Sequence, residues 1–163
     1  MAPRSVQDSL PDWVRDDVPR VLLVDDDPQY LRSTERLLRR YGYEVLTARG
    51  GAEALRVVRT EVKEIDVILL DLYMTDMTGD KVVEELRKFE PYIPVIIQSG
   101  YSGEDLPHKM VRQLDIQGFH DKTEPTQTLL IWTEAGVKAA RRIRALRGGP
   151  EGSEPTQSTP AGG

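Results

Sequence analysis

Five times along this chain a short apolar run is followed by a polar break and then an amphipathic segment. The runs are Arg20–Val24, 44–47, 65–70, 95–98 and a brief one at 118–119, and most are continuous rather than alternating. A strand wetted on one face alternates apolar with polar residues. Continuous runs belong to strands covered on both faces, the habit of parallel sheets.

The intervening segments carry helix signals. Asp27 is an N-cap with Pro28 at the first helical position, and Leu31, Thr34, Leu38 and Tyr41 recur at helical spacing until Gly42 ends the helix. A second helix fits Gly51–Thr60 through Ala54, Leu55 and Val58. The third begins near Thr78 and carries Val82, Val83, Leu86 and Phe89 before Pro91 and Pro94 forbid continuation. The fourth starts near Pro107 with Met110, Val111 and Leu114, and the fifth covers Thr126–Arg147 with Leu130, Val137, Ala140 and Ile143 on one stripe. Strand–helix alternation of this kind predicts an α/β fold, a doubly wound five-stranded parallel sheet with right-handed crossovers.

Two of the runs stop on acids: Val21-Leu22-Leu23-Val24 on Asp25-Asp26-Asp27, and Val67-Ile68-Leu69-Leu70 on Asp71. In an open parallel sheet, ligands sit at the carboxyl ends of the strands. Carboxylates there are hard oxygen ligands for a divalent cation such as Mg²⁺. Ser99 closes the fourth run and Lys122 lies just beyond the fifth. An aspartate nucleophile, further carboxylates for a cation, a small hydroxyl and a lysine are what phosphoryl chemistry at a carboxylate needs. In strand order 2-1-3-4-5 all of them reach one cleft.

Composition removes several alternatives. There is no cysteine, so disulfides and thiolate sites are absent, in keeping with a reducing cytoplasm. A formal charge of -5, from 22 basic and 27 acidic residues, gives no bulk attraction for nucleic acid or an anionic membrane. Residues 1–19 hold acids and prolines without an apolar stretch, which predicts an extension that is neither signal peptide nor anchor, with Trp13 and Val14 available to clip onto the domain. The segment 148–163 is Gly-, Pro-, Ser- and Thr-rich and is expected to be disordered, leaving 20–147 as the domain. The basic run Lys138, Arg141, Arg142, Arg144 and Arg147 reads as the solvated face of the last helix, with nucleic-acid binding the lesser reading. His108 and His120 lack metal-ligand spacing and read as surface or interface residues.

Four motifs, Val24-Asp25-Asp26-Asp27-Pro28, Leu70-Asp71-Leu72-Tyr73-Met74 leading to Thr78-Gly79, Ile97-Gln98-Ser99-Gly100, and Gly118-Phe119-His120-Asp121-Lys122, stand in order at strand ends. With these motifs the chain resembles the receiver domain of two-component response regulators, over about residues 20–147. The resemblance implies a flavodoxin-like fold with Asp71 as phosphate acceptor, served by a histidine kinase or histidine phosphotransfer protein. It implies Mg²⁺ (or Mn²⁺) held by Asp25, Asp26, Asp71 and the backbone carbonyl of Tyr73. Lys122 and Ser99 would bind the phosphoryl group, and Ser99 and Phe119 would form the switch. The output face would be the fourth helix, fifth strand and fifth helix, for a protein partner or a homodimer. A stand-alone cytoplasmic switch is expected, because only about sixteen residues follow the last helix.

The chain departs from the family pattern at several points. Thr123 follows Lys122 where most receivers have proline, so a cis peptide there is not expected. Thr75 stands where many have proline. Tyr73 and Tyr101, each two residues beyond a site residue, put bulky phenols at the phosphate entrance and predict a long-lived aspartyl phosphate. Two rivals have some sequence support: a receiver-like docking module that is never phosphorylated, and a phosphatase of the haloacid-dehalogenase type, suggested by Asp71-Leu72-Tyr73-Met74-Thr75. In that enzyme type the place of Tyr73 is held by an acid, and the motif belongs on the first strand. A flavin-binding protein is opposed by the three acids after the first strand, which repel phosphate.

Overall fold

The computed structural model describes residues 18–61, 63–100 and 106–148, with the side chains of 106–108 left aside. The strands are β1 (Arg20–Val24), β2 (Glu44–Ala48), β3 (Val67–Asp71), β4 (Val95–Ser99) and β5 (Gly118–Asp121). The helices are α1 (Pro28–Arg40), α2 (Gly51–Thr60), α3 (Gly79–Arg87), α4 (Leu106–Gln113) and α5 (Thr126–Arg147). All strand pairs are parallel, in the order β2-β1-β3-β4-β5. The expected doubly wound sheet is the fold.

Successive residues of a strand face opposite sides, and here both sides are apolar. Leu22, Val24, Ile68, Leu70 and Ile97 pack with Leu55 of α2, Val82, Val83 and Leu86 of α3 and Met110 of α4. Val21, Leu23, Val67, Leu69 and Ile96 pack with Leu31 and Leu38 of α1 and Leu129 and Val137 of α5. Double cover is why β1, β3 and β4 are buried throughout. The turn after α1 closes on Gly42, whose φ of 90° favours glycine.

Several expectations need correcting. The third strand begins at Val67 rather than 65, because its ladder with β1 opens at Val21↔Val67 and Asp66 instead turns its side chain to the Arg20 amide. Of the residues that recur at helical spacing in α1, Leu31, Thr34 and Leu38 are buried and Tyr41 is 60% exposed. Phe89 and Leu114 lie beyond the ends of α3 and α4. The buried stripe of α5 is Leu129, Thr133, Gly136, Val137 and Ala140, so Leu130 and Ile143 sit at its margins. At Gly136 a methyl group would come within 2.5 Å of Val67, which lets α5 lie close on β3. Arg144 is not merely solvated: its guanidinium pairs with Asp66 at 2.5 Å and with Glu64. His120 is buried at 3% exposure, not at the surface. The His108 side chain, Trp13, Val14, Tyr101, most of the 1–19 extension and all of the tail after Gly148 lie outside the described residues.

Candidate functional site

β1 ends where Asp25 follows Val24, and its neighbour β3 ends on Asp71, one step ahead of Leu70, the partner of Val24. Adjacent parallel strands therefore deliver both carboxylates to the same edge. One oxygen from each of Asp25, Asp26 and Asp71 lies within 4.8 Å of the others. Asp25 and Asp71 are buried at 1% and 6% exposure. Asp27 takes no part, since its side chain accepts from the Gln29 amide and caps α1.

From β5 the chain carries Lys122 across the same edge. Its ammonium stands 2.5 Å from Asp25 Oδ2 and 3.1 Å from Asp71 Oδ1. The Lys122 amide donates to the Ser99 carbonyl at 2.9 Å, tying the end of β5 to the end of β4. The peptide after Lys122 is trans, as expected. Ser99 is buried at 1%, and Phe119, half-buried on β5, packs on the apolar cluster under α2, α3 and α4. In the loop after β3, Tyr73 is 55% exposed, and the Thr75 amide donates to Asp26 Oδ2 at 3.0 Å.

The electrostatics follow from burial among like charges. Desolvation pushes the Asp71 carboxyl up to about 6; Lys122 opposes this and Asp25 and Asp26 add to it. Burial pulls the Lys122 ammonium down, but the hydrogen bond to Asp25 and the charge of Asp71 outweigh it and leave Lys122 above its ordinary range. Among the described residues, three carboxylates against one ammonium leave two formal negative charges. An all-oxygen, doubly negative cluster suits a hard divalent cation, Mg²⁺ or Mn²⁺, which takes few carboxylates and keeps water in its remaining positions.

Sequence reasoning missed the layer beneath this cluster. Tyr30 of α1 turns its ring under Lys122, whose Nζ is 4.2 Å from the ring centroid. The Tyr30 hydroxyl donates to Gln98 Oε1 at 2.5 Å, and His120 Nδ1 lies 3.3 Å from the same oxygen. A lone amide inside the apolar run of β4 was the available signal, because a buried polar group implies a partner. Asp76 was missed too: it accepts from the Gly51 and Ala52 amides and seats the first turn of α2.

Comparison with known proteins agrees with this geometry. The family model for the response regulator receiver domain matches residues 21–133. Among curated proteins, the transcriptional regulatory protein ZraR of Klebsiella oxytoca is 40% identical over 85 residues, which is 52% of this chain and 19% of that protein. The transcriptional regulatory protein PrrA of Mycobacterium tuberculosis is 48% identical over 87 residues, 53% of this chain and 36% of that protein. The chain thus spans about a fifth to a third of these relatives. Among solved structures, a receiver domain protein from Clostridium thermocellum superposes with a TM-score of 0.70 at 26% identity, over 77% of this chain and 98% of that one. TrrA of Thermotoga maritima, solved in complex with Mg(2+)-BeF, gives 0.64 at 25% identity over 72% and 98%. A family match over most of the chain, on a sheet of this order with its acids at one edge, makes this chain a member of the response regulator receiver domain family.

Proposed function

We propose that this domain is a Mg²⁺-dependent, phosphorylation-activated signalling switch with Asp71 as its phosphate acceptor. The carrying observation is the buried Asp71 carboxylate, close to Asp25 and Asp26 on one side and 3.1 Å from the Lys122 ammonium on the other. Asp25, Asp26 and Asp71, with the Tyr73 carbonyl, would hold the cation. When bound there, the cation would supply charge neutralisation for the transferring phosphoryl oxygens. The solved Mg(2+)-BeF complex of TrrA supports this reading by analogy.

The donor is a phosphohistidine of a histidine kinase or phosphotransfer protein. An Asp71 oxygen attacks phosphorus; the new O–P bond forms as the P–N bond breaks, and the imidazole leaves with the electron pair. Lys122 follows the charge from the carboxylate onto the phosphoryl oxygens. The phosphoryl group adds up to roughly two negative charges and three acceptor oxygens. Ser99 moves to donate to one of them. Movement of the segment after β4 opens space for Phe119, and the α4–β5–α5 surface changes with it. Val111 of α4, 46% exposed, lies on that output face. A protein partner, a relay or a second copy of the chain reads the change in the cytoplasm, and the domain carries out no chemistry beyond its own phosphorylation and dephosphorylation.

Tyr73 restricts the approach of the hydrolytic water and prolongs the phosphorylated state, a role the sequence also suggests for Tyr101. Substitution of both by small polar residues should speed dephosphorylation, and an unchanged rate would remove this part of the reading. The primary test is intact mass after incubation with acetyl phosphate. A gain of one phosphoryl group that requires both Mg²⁺ and Asp71 is expected. A gain that survives in Asp71→Asn or in a chelator would overturn the assignment.

A further inference from the structure

Lys122 must keep its ammonium at the acceptor while the charge there moves from carboxylate to phosphoryl oxygens. Two of its contacts are carboxylates, Asp25 at 2.5 Å and Asp71 at 3.1 Å. A third carboxylate in the shell would draw the ammonium away from the phosphoryl group. Among the described residues, the third contact is instead the face of Tyr30, 4.2 Å below Nζ, and a ring attracts a cation without adding a competing charge.

The ring is itself pinned. Tyr30 sits in the first turn of α1, and its hydroxyl donates to Gln98 Oε1 at 2.5 Å. Gln98 is fully buried on β4, opposite His120 on β5 and next to Ile96 and Ile97. An amide in such a strand costs free energy unless its groups are bonded, and among the described residues its Nε2 has no partner. The oxygen is the bonded end: it fixes the position of the Tyr30 hydroxyl, and with it the far end of the ring, and at 3.3 Å it meets His120 Nδ1. Burial holds the Tyr30 phenol above its ordinary range, which keeps it neutral and its hydroxyl a donor.

We infer that Tyr30, anchored by Gln98, is a positioning residue that holds the Lys122 ammonium against the acceptor during phosphoryl transfer. The inference rests on Asp71 being the acceptor.

The test is a double-mutant cycle on the rate of phosphorylation by acetyl phosphate in saturating Mg²⁺, with Tyr30→Leu, Lys122→Met and both together. Tyr30→Leu should slow the reaction about tenfold with Mg²⁺ affinity unchanged, within the range that a desolvated cation–ring contact supplies. It should have no further effect once Lys122 is methionine. Tyr30→Phe, which keeps the ring and loses only the anchor, should cost about threefold on the same scale, and its near-native volume guards against a folding defect. A second readout needs no phosphorylation: the Lys122 side-chain methylene protons should be shifted upfield by the ring current in wild type and in Tyr30→Phe, and return to ordinary values in Tyr30→Leu. Rate effects that multiply in the double variant, or a missing ring-current shift, would overturn the inference while leaving Asp71 as acceptor. A wild-type protein that shows the shift but takes up no phosphoryl group would instead remove the acceptor reading, and the transfer role of Tyr30 with it.

Discussion

Asp71→Asn should make the metal-free protein more stable at neutral pH. The Asp71 side chain is 9% exposed and shares its pocket with Asp25 and Asp26, so its charge is held at a cost that Lys122 offsets only in part. The folded protein raises its carboxyl from 3.8 to about 6. A carboxyl raised in the folded state contributes stability below its unfolded value and loses it as pH climbs through the folded value. At 1.36 kcal/mol per pH unit, the loss between about pH 4 and pH 6 amounts to about 3 kcal/mol. Asparagine has nearly the same shape and no charge, so at pH 7 it should recover up to about 3 kcal/mol, less what its amide loses by facing the Lys122 ammonium. With an m-value of about 2 kcal/mol/M, the urea midpoint should rise by up to about 1.5 M. The assay is urea unfolding of both proteins in chelator at pH 7 and at pH 3.5, where both side chains are neutral and the midpoints should coincide. Added Mg²⁺ should narrow the gap at pH 7, because it stabilises the wild-type carboxylate cluster by mass action. Destabilisation by Asp71→Asn at pH 7 without metal would refute the reasoning, since the Lys122 attraction would then exceed the cost of burial and like charge.

Three further outcomes follow from the same contacts. Lys122→Met removes the ammonium that competes for two of the three carboxylates, so Mg²⁺ binding measured by calorimetry at pH 7 should tighten about tenfold, equivalent to about 1.4 kcal/mol of relieved repulsion; weaker binding would contradict it. Asp66→Asn disturbs a buried carboxylate that accepts from the Arg20 amide at 2.6 Å and pairs with Arg144 at 2.5 Å, and should cost about 2–4 kcal/mol in chemical unfolding. Gly79→Ala places a methyl carbon 2.7 Å from the Asp71 carbonyl oxygen and 3.1 Å from the Leu72 Cα. Neither backbone atom can yield freely, so a loss of about 1–3 kcal/mol is expected, together with weaker Mg²⁺ binding because the strand end that carries Asp71 must shift.

What could be read from the chain was whatever is written in local order. Doubly covered strands show as continuous apolar runs, so the sheet, and the ends of β1 and β3 on Asp25 and Asp71, followed from the sequence. The start of α1 was legible because Asp27 and Pro28 are adjacent and act on the next turn. What escaped depends on partners far away in the chain. Asp66 leaves the strand pattern only because Arg20 and Arg144 reach it from positions 46 and 78 residues away. The buried stripe of α5 is rotated relative to its apolar residues because Gly136 must face Val67, and a helix is placed by its closest approach as much as by its largest side chains.

The same distinction runs through the site. Asp25, Asp26, Asp71, Ser99 and Lys122 could be found from sequence because each ends or follows a strand, and a parallel sheet brings strand ends together whatever else the chain contains. Tyr30 and His120 could not, since neither ends a strand, and the lone amide of Gln98 in the β4 run signals a partner without naming Tyr30, 68 residues away. Local order therefore supplies the charges that the chemistry needs, while the long-range polar layer beneath them sets how firmly Lys122 is held at 3.1 Å from Asp71. On the inferred role of Tyr30, a change in this layer alone should alter the transfer rate with the five candidate site residues intact. In this chain the adjustable part is a ring pinned by a buried amide, and exchanging Gln98 for an apolar residue would loosen it without touching a carboxylate, the lysine or the serine.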